Sequence, residues 1–439
     1  MPISGTTAAE IAGSVRDLIA SGELAPQDLL PPVRALAEEL GVNRNTVASA
    51  YRQLVAAAEA VTRGRGGTAV AGVPQLASEG AWFGGRLTDL ASGNPDPQLL
   101  PDALQALRGG GYQPALYGSP PVDERLAGWA VRQYAPDIGD SGFRVVVTHG
   151  AVDATERLLN AYLTRGDAVA VEDPCFLASI GTLRLNGFRT VAVAVDGQGM
   201  RPDALRAALE SGVRAVVCTP RAHNPTGVSI TGERAAELRE VLAGHPQVQV
   251  IEDDHFWAVS RSSYHRITPP GLSRWALVRS ASKFLGPDLR LALVACDQET
   301  ASRLGTRLNT GATWVSGLLQ HAAHVLLTDP DVIALTARAR ETYVRRGDRL
   351  LARLGEHGIR VPDGYRPDGL NVWVPLPSPA RPVADALARR GWAVQPGGLF
   401  TSGPSEAQAL RVTTSTLTDE QATQFTADLA DVLNLPGRP

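Results

Sequence analysis

Between residues 145 and 295 the chain repeats one pattern: short, almost wholly apolar runs separated by amphipathic stretches. The runs fall at 145–147, 168–171, 190–195, Ala215–Cys218, 248–252, 275–279 and 291–295. A strand with one wet face alternates polar and apolar residues. Most of these do not, so they are strands buried on both faces. The stretches between them, such as 201–211 and 233–243, place apolar residues at helical spacing. This predicts an α/β fold, a parallel sheet with helices on both sides. A smaller C-terminal unit follows from about 329, with long helices and strands at 370–375 and 410–413. A chain of 439 residues also exceeds what one hydrophobic core usually organises, so two or three domains are expected.

The N-terminal residues obey a different rule. Thr6 or Thr7 can cap a helix reaching about Ala20, with Ile11, Val15, Leu18 and Ile19 on one side. A second helix starts near Val33, after two prolines, and stops at Gly41. Asn43 caps a third over 44–57, and the glycine-rich run 61–70, with Gly64, Gly66 and Gly67, reads as a hairpin. Three helices and a hairpin make a winged helix-turn-helix. The first turn of its third helix must then face base edges in the major groove. Arg44 there can pair with guanine or hold a phosphate, Asn45 can read adenine, and Thr46 can bind a phosphate or touch a thymine methyl. Arg34, Tyr51, Arg52, Arg63 and Arg65 are expected to add contacts to the DNA backbone. Residues 1–72 hold six arginines and seven acids, and the whole chain carries a net charge of −3. Position, not a basic coat, carries the case for double-stranded DNA as a partner. Periodicity ends after 72, so we expect domains at 1–72 and 88–439 joined by a linker at 73–87. The second would divide into a large part, about 88–328, and a small one, about 329–439.

Of 42 basic residues only one, Lys283, is a lysine. Arginine replaces lysine wherever only a surface charge is needed, but a guanidinium cannot supply a primary amine for an imine. The surviving lysine therefore points to Schiff-base chemistry, and hence to pyridoxal 5′-phosphate (PLP). The remaining requirements of such a site are a carboxylate for the pyridine nitrogen, donors for the phenolic oxygen, a stacking face, and a phosphate cradle. Asp253 or Asp254 follows the strand at 248–252, and Asp253 is preferred for the pyridine nitrogen. Asn224 in HNPTG and His255 suit the phenolic oxygen, and Phe176 suits the stacking face. Gly150, Ala151 and Val152 at a strand–turn–helix junction, with Arg290, suit the phosphate, and Ser280 and Ser282 flank the lysine in the cofactor site. The three cysteines, Cys175, Cys218 and Cys296, are far apart and read as reduced core thiols. No metal site is expected. No apolar run approaches the roughly 18 residues a membrane span requires, and a cytoplasmic protein is expected.

The segments LPPVRALAEELGVNRNTVASAYRQL and TRGRGGTAV resemble the winged helix of the GntR family. That resemblance implies operator contacts from Arg34, Arg44, Asn45, Thr46 and the wing residue Gly64. Pro32 stands where a small polar residue is usual. Ala58–Glu59 replaces the usual Gly-Leu, so a weaker helix end and a looser wing are expected. From about Asp89 onward the chain resembles fold type I (aspartate aminotransferase-like) enzymes. The resemblance implies that Tyr117 reaches the phosphate across a dimer interface and that Arg411 binds an effector carboxylate. His255 stands where most relatives have tyrosine. The fusion as a whole resembles the MocR regulators, implying a homodimer, usually domain-swapped. Within that group LASGNPDP, HNPTG, EDDHF, SKFLGPDLRLA and DGLNVWVPL resemble regulators of vitamin B6 salvage. The function implied is PLP-responsive repression of a gene such as pyridoxal kinase, with PLP as effector and no turnover. A regulator sensing a PLP–amino acid adduct and an active aminotransferase are the alternatives.

Overall fold

The computed structural model describes residues 3–57, 59–62, 66–71, 87–109, 111–139, 142–403 and 407–434. The described residues form two compact units: the N-terminal segment through 71, grouped with 164–167 and 181–189, and the remainder. The linker expected at 73–87 falls, except for Leu87, outside the described residues, as do Arg63, Gly64 and Arg65 of the wing.

The N-terminal segment contains α1 (Ala8–Ser21), α2 (Val33–Glu39), α3 (Arg44–Ala56) and the antiparallel hairpin β1 (Ala60–Thr62)–β2 (Thr68–Val70). Thr7, not Thr6, is the N-cap of α1. Its hydroxyl accepts from the Glu10 amide while Glu10 accepts from the Thr7 amide, a reciprocal capping box. The α2–α3 turn passes through Gly41 at φ 65°, a left-handed position that glycine occupies without steric cost. Ile11, Val15, Leu36, Val47 and Leu54 meet in the core. Tyr51 joins them: it is 4% exposed, and its hydroxyl donates to the Pro31 carbonyl. The DNA contact expected of Tyr51 is therefore corrected; it fixes α3 to the start of α2. The expected looseness of the wing falls on Ala58 and residues 63–65, outside the described residues, but Glu59 itself is held. Glu59 takes the Arg16 Nε on both carboxylate oxygens, at 2.9 and 2.8 Å, and its amide donates to the Leu54 carbonyl. The base of the hairpin is thereby tied to α1 and α3.

The second unit begins with β3 (Thr88–Asp89), α4 (Ala103–Arg108) and α5 (Glu124–Ile138). Strands and helices then alternate: β4 (Arg144–Thr148), α6 (Ala151–Tyr162), β5 (Ala168–Asp173), α7 (Leu177–Leu185), β6 (Arg189–Asp196), β7 (Gly199–Met200), α8 (Pro202–Glu210), β8 (Ala215–Cys218), α9 (Gly232–Ala243), β9 (Gln249–Asp253), β10 (Trp275–Ser280) and β11 (Ala292–Cys296). They form an eight-stranded sheet in the order β4-β11-β10-β9-β8-β5-β6-β7. Every residue of β8, β9, β10 and β11 is buried, including the polar Gln249, Glu252, Asp253, Arg279 and Ser280 at the ends of β9 and β10. The sheet is not wholly parallel, as the sequence had suggested. β11 runs antiparallel to both β10 and β4, because residues 281–291 return the chain directly without a crossover helix. Since β11 is flanked by strands of one direction, β4, β5, β8, β9 and β10 all end at the same edge.

The helices α10 (Gln298–Asn309), α11 (Gly317–Thr328) and the long α12 (Pro330–Glu356) lead to a three-stranded sheet. It contains β12 (Asn371–Pro375), β14 (Gln395–Pro396) and β15 (Ala409–Thr413), whereas β13 (Trp392–Ala393) pairs with β3. With α13 (Ala380–Arg389) and α14 (Asp419–Val432) this sheet encloses a second core of Leu350, Val372, Leu387, Leu410 and Phe425. Among the described residues no helix is long and apolar enough to cross a membrane.

Candidate functional site

The shared edge of the parallel strands is where open α/β sheets present loops to ligands. Four chain segments converge there. β4 leads through Gly150 into α6, Phe176 follows β5, β9 ends on Asp253, and β10 ends on Ser280, three residues before Lys283. They enclose a cavity of about 240 Å³ lined by Gly150, Ala151, Val152, Phe176, Asp253, His255, Ser280, Ser282, Lys283 and Arg290. Ser92, Asn94 and Pro287 complete the lining; none of these three was singled out from the sequence. The segment LASGNPDP was quoted as a unit, but its serine and asparagine read as ordinary turn residues. The distance of this segment in sequence from the other lining groups hid their meeting.

Lys283 Nζ enters the cavity and donates to the Gly93 carbonyl at 2.8 Å. At the opposite end Gly150, at φ 98°, caps α6 with no side-chain hydrogen bond to its first amides. The Arg290 guanidinium closes over this turn: a Cβ on Gly150 would lie 3.6 Å from Arg290 Nη2. Among the described residues no carboxylate pairs with Arg290. Free amides at a helix start, an uncompensated guanidinium, and Ser280 and Ser282, whose hydroxyls lie 2.9 Å apart, form a receptor for a phosphate-like dianion.

The adjacent carboxylates of the EDDHF segment have different surroundings. Asp254 is fully buried and takes Arg221 on both oxygens at 2.7 Å, and Arg279 at 3.0 Å. Both its oxygens are engaged by guanidiniums and it does not line the cavity, which leaves Asp253 as the ligand-facing acid. Asp253 is 6% exposed, and its Oδ1 has no hydrogen-bond partner. Its Oδ2 lies 3.3 Å from His255 Nδ1, within ion-pair reach but not aligned as a hydrogen bond. Both ring nitrogens of His255 are buried without partners, and its ring stacks on Phe176 at 5.7 Å. A buried carboxylate oxygen beside an unsatisfied imidazole costs free energy unless a ligand supplies the missing donors and acceptors. A protonated pyridine nitrogen and a phenolic oxygen are such groups, so the residues present fit PLP.

Asn224 and Arg411 do not line the cavity but form a pair beside it. Arg411 Nη1 donates to Asn224 Oδ1 at 3.1 Å, and Nη2 donates to the Ala91 carbonyl. Arg411 is fully buried, with its guanidinium 4.9 Å from the centre of the Phe400 ring. Tyr117 is not brought to the site within one chain: it is 93% exposed, and its ring meets Trp314 edge-on at 5.6 Å.

In the N-terminal unit Arg34, Arg44 and Asn45 are exposed and Thr46 is partly so. The Asn43 side chain accepts from the Asn45 amide at 2.8 Å, fixing the first turn of α3 while the side chains of residues 44 and 45 remain available.

Fold and cavity together define a fold type I protein of the aspartate aminotransferase kind, preceded by a DNA-binding winged helix. Residues 86–429 match the aminotransferase class I and II profile and residues 7–70 that of the bacterial regulatory proteins of the gntR family. The chain belongs to the MocR group, gntR-type regulators built on a class I and II aminotransferase domain, and PLP is the cofactor of that domain. It is 46% identical over 434 residues to the vitamin B6 salvage pathway transcriptional repressor PtsJ of Salmonella typhimurium, covering 98% of this chain and 100% of that protein. Over 433 residues it is 27% identical to the HTH-type transcriptional regulator TauR of Rhodobacter capsulatus, with 88% of each chain covered. Among solved structures, kynurenine aminotransferase of Pyrococcus horikoshii superposes with a TM-score of 0.72 at 20% identity, over 80% of this chain and 91% of that one.

Proposed function

We propose that this protein is a PLP-responsive repressor of a vitamin B6 salvage gene such as pyridoxal kinase, and that its aminotransferase domain serves as the sensor. The observation that carries this reading is an unspent cofactor receptor, with Asp253 Oδ1 and the His255 nitrogens unpartnered, in a chain that also presents Arg44 and Asn45 to solvent. When bound, PLP supplies an aldehyde and an electron-withdrawing ring. Lys283 offers the amine facing that aldehyde, and Asp253 holds a proton on the ring nitrogen. His255 meets the phenolic oxygen, Phe176 covers the ring face, and Arg290 with Ser280, Ser282 and the amides of Gly150, Ala151 and Val152 grips the phosphate. Cofactor occupancy shifts operator affinity only by its differential affinity for two arrangements of the protein. Those arrangements belong to a cytoplasmic, domain-swapped homodimer in which Tyr117 is contributed across the interface. The domains divide at 1–72, 73–87 and 88–439. Arg34, Arg44, Asn45 and Thr46 contact the operator, joined by Arg63, Gly64 and Arg65 of the wing.

The buried Arg411–Asn224 pair favours a second reading, in which an amino acid bound with PLP is the effector and Arg411 receives its carboxylate. One titration separates the two. Fluorescence anisotropy of labelled operator is recorded with no addition, with PLP, and with PLP plus amino acids. A change with PLP alone that is weakened in Lys283→Ala supports the first reading. A change that requires an amino acid supports the second, equal affinity in all conditions refutes both, and steady keto acid production would make the protein an enzyme.

A further inference from the structure

Behind the cofactor cavity lies another, of about 260 Å³, which none of the roles above uses. Its wall is aromatic: Trp129 of α5, Trp257 beyond β9, and Phe284, the residue after Lys283. Trp257 meets Phe284 edge-on at 5.1 Å and Trp129 at 6.3 Å. Leu326 closes one side, and Ile333, 57% exposed, stands at the mouth. The charged group of the lining is Arg340. Its Nε and Nη2 both donate to the Ala258 carbonyl, at 3.2 and 3.0 Å. Among the described residues it has no carboxylate partner.

We propose that this cavity is a second ligand site, for a small aromatic carboxylate. An apolar cavity of about 150 Å³ holds one benzene ring, so the volume here accommodates a ring system and a short acid chain. The rings of Trp129, Trp257 and Phe284 provide faces and edges for an aromatic ligand. The guanidinium, tethered on one side by Ala258, turns its remaining donors to an anion. Arg340 is exposed, so water meets its charge until an anion takes that place, and a cation would be repelled.

The two cavities share structure. The Trp257 indole donates to the Ser280 carbonyl at 3.0 Å, and Ser280 and Lys283 line the first cavity while Phe284 lines the second. A ligand against Trp257 and Phe284 therefore acts on groups that hold Ser280 and Lys283 in place. Coupling between two sites is reciprocal: each ligand changes the other's affinity by one common factor. The coupling rests on the cofactor reading above; the site itself does not.

The test is calorimetric titration of the full-length protein with indole-3-propionate, once free of PLP and once saturated with it. Saturable binding to both forms is expected, weakened at least tenfold in Arg340→Gln and for the neutral indole-3-propanamide. Ile333→Trp, which fills the mouth, should abolish it, and neither variant should change the affinity for PLP alone. Absence of saturable binding, equal binding to Arg340→Gln, or stoichiometric displacement of PLP by the probe would overturn the proposal. So would a finding that a second copy covers the cavity, seen as no probe binding together with dissociation of the oligomer by Ile333→Asp. Because loss of probe binding in Arg340→Gln and Ile333→Trp marks this cavity and the visible absorbance of added PLP reads the other, failure of one is distinguishable from failure of the other.

Discussion

Asp253 and Asp254 are adjacent in sequence, chemically identical and both buried, yet their replacement by asparagine should have opposite consequences. Asp254 anchors two guanidiniums, Arg221 at 9% and Arg279 at 4% side-chain exposure; Asp137 supplies a further negative charge on Arg279. Burial pulls the Arg279 pKa down, but Asp254, Tyr134 and Asp137 acting together outweigh it and hold the group above its ordinary value. In Asp254→Asn one carboxylate oxygen becomes an NH₂ group. That donor faces Arg221 Nη2 and Arg279 Nε, which are also donors, and the cluster gains one uncompensated positive charge. Breaking a buried ion pair from one side costs about 3–5 kcal/mol. At about 2 °C per kcal/mol for a large domain, this lowers Tm by roughly 6–10 °C. Asp253→Asn breaks no hydrogen bond from Oδ1, so PLP-free protein should melt within about 2 °C of the parent, a shift of about 1 kcal/mol. It should nevertheless bind PLP at least about tenfold more weakly, having lost the anion that holds the pyridine proton; a tenfold change is about 1.4 kcal/mol. Differential scanning fluorimetry without PLP and absorbance titration with it provide both readouts. If Asp254→Asn melts with the parent, or Asp253→Asn loses stability while keeping its PLP affinity, this division of labour is wrong.

Arg290→Ala should leave stability almost unchanged, because no carboxylate of the described chain depends on it. It should weaken PLP binding by about 1.5–3 kcal/mol, the usual worth of a hydrogen bond to a charged group, measured by the same absorbance titration. Arg44→Ala removes an exposed side chain without disturbing the Asn43 cap. It should cost about 1–3 kcal/mol of operator affinity if it reads a base, or reduce the salt slope by about 1 if it holds a phosphate, and anisotropy across a salt series distinguishes these outcomes. Glu252 governs a pH effect. Burial pushes its carboxyl above the ordinary 4.5, opposed by hydrogen bonds from Thr268, the Ile267 amide and Tyr264. The folded state therefore retains a proton that the unfolded chain releases. This contribution to stability is complete below the ordinary value and fades as pH rises from there through the folded-state pKa. Denaturant midpoints measured across that window should fall less steeply with pH in Glu252→Gln than in the parent, and parallel slopes would refute the assignment.

What was legible in the sequence was whatever local chemistry forces. β8, β9 and β10 could be recognised because strands covered on both faces carry apolar runs, such as Val216–Val217, Val250–Ile251 and Ala276–Val278, that do not alternate with polar residues. The α3 cap could be recognised because only a few side chains accept from a helix's first amides. The lysine stood out because no other residue in this arginine-rich chain carries a primary amine. What stayed hidden was pairing between distant segments. An apolar run carries no arrow, so the antiparallel direction of β11 follows only from the short return through 281–291. Asp253 and Asp254 could be ranked but not separated until Arg221, some thirty residues upstream at a separation of 33, was seen to occupy Asp254. Ser92 and Asn94 read as turn residues until Lys283 was found donating to the carbonyl of Gly93 between them. Tyr117 marks the limit of one chain. A tyrosine 93% exposed and not brought to its own chain's anion receptor makes sense if the phosphate it meets lies in another subunit. Mixing Tyr117→Phe with Lys283→Ala protein tests this. If each site draws its tyrosine from the neighbouring chain, a mixed dimer holds one site lacking both groups and one lacking neither, and the mixture recovers PLP affinity that neither parent has. No recovery after verified exchange of subunits would place Tyr117 outside the site.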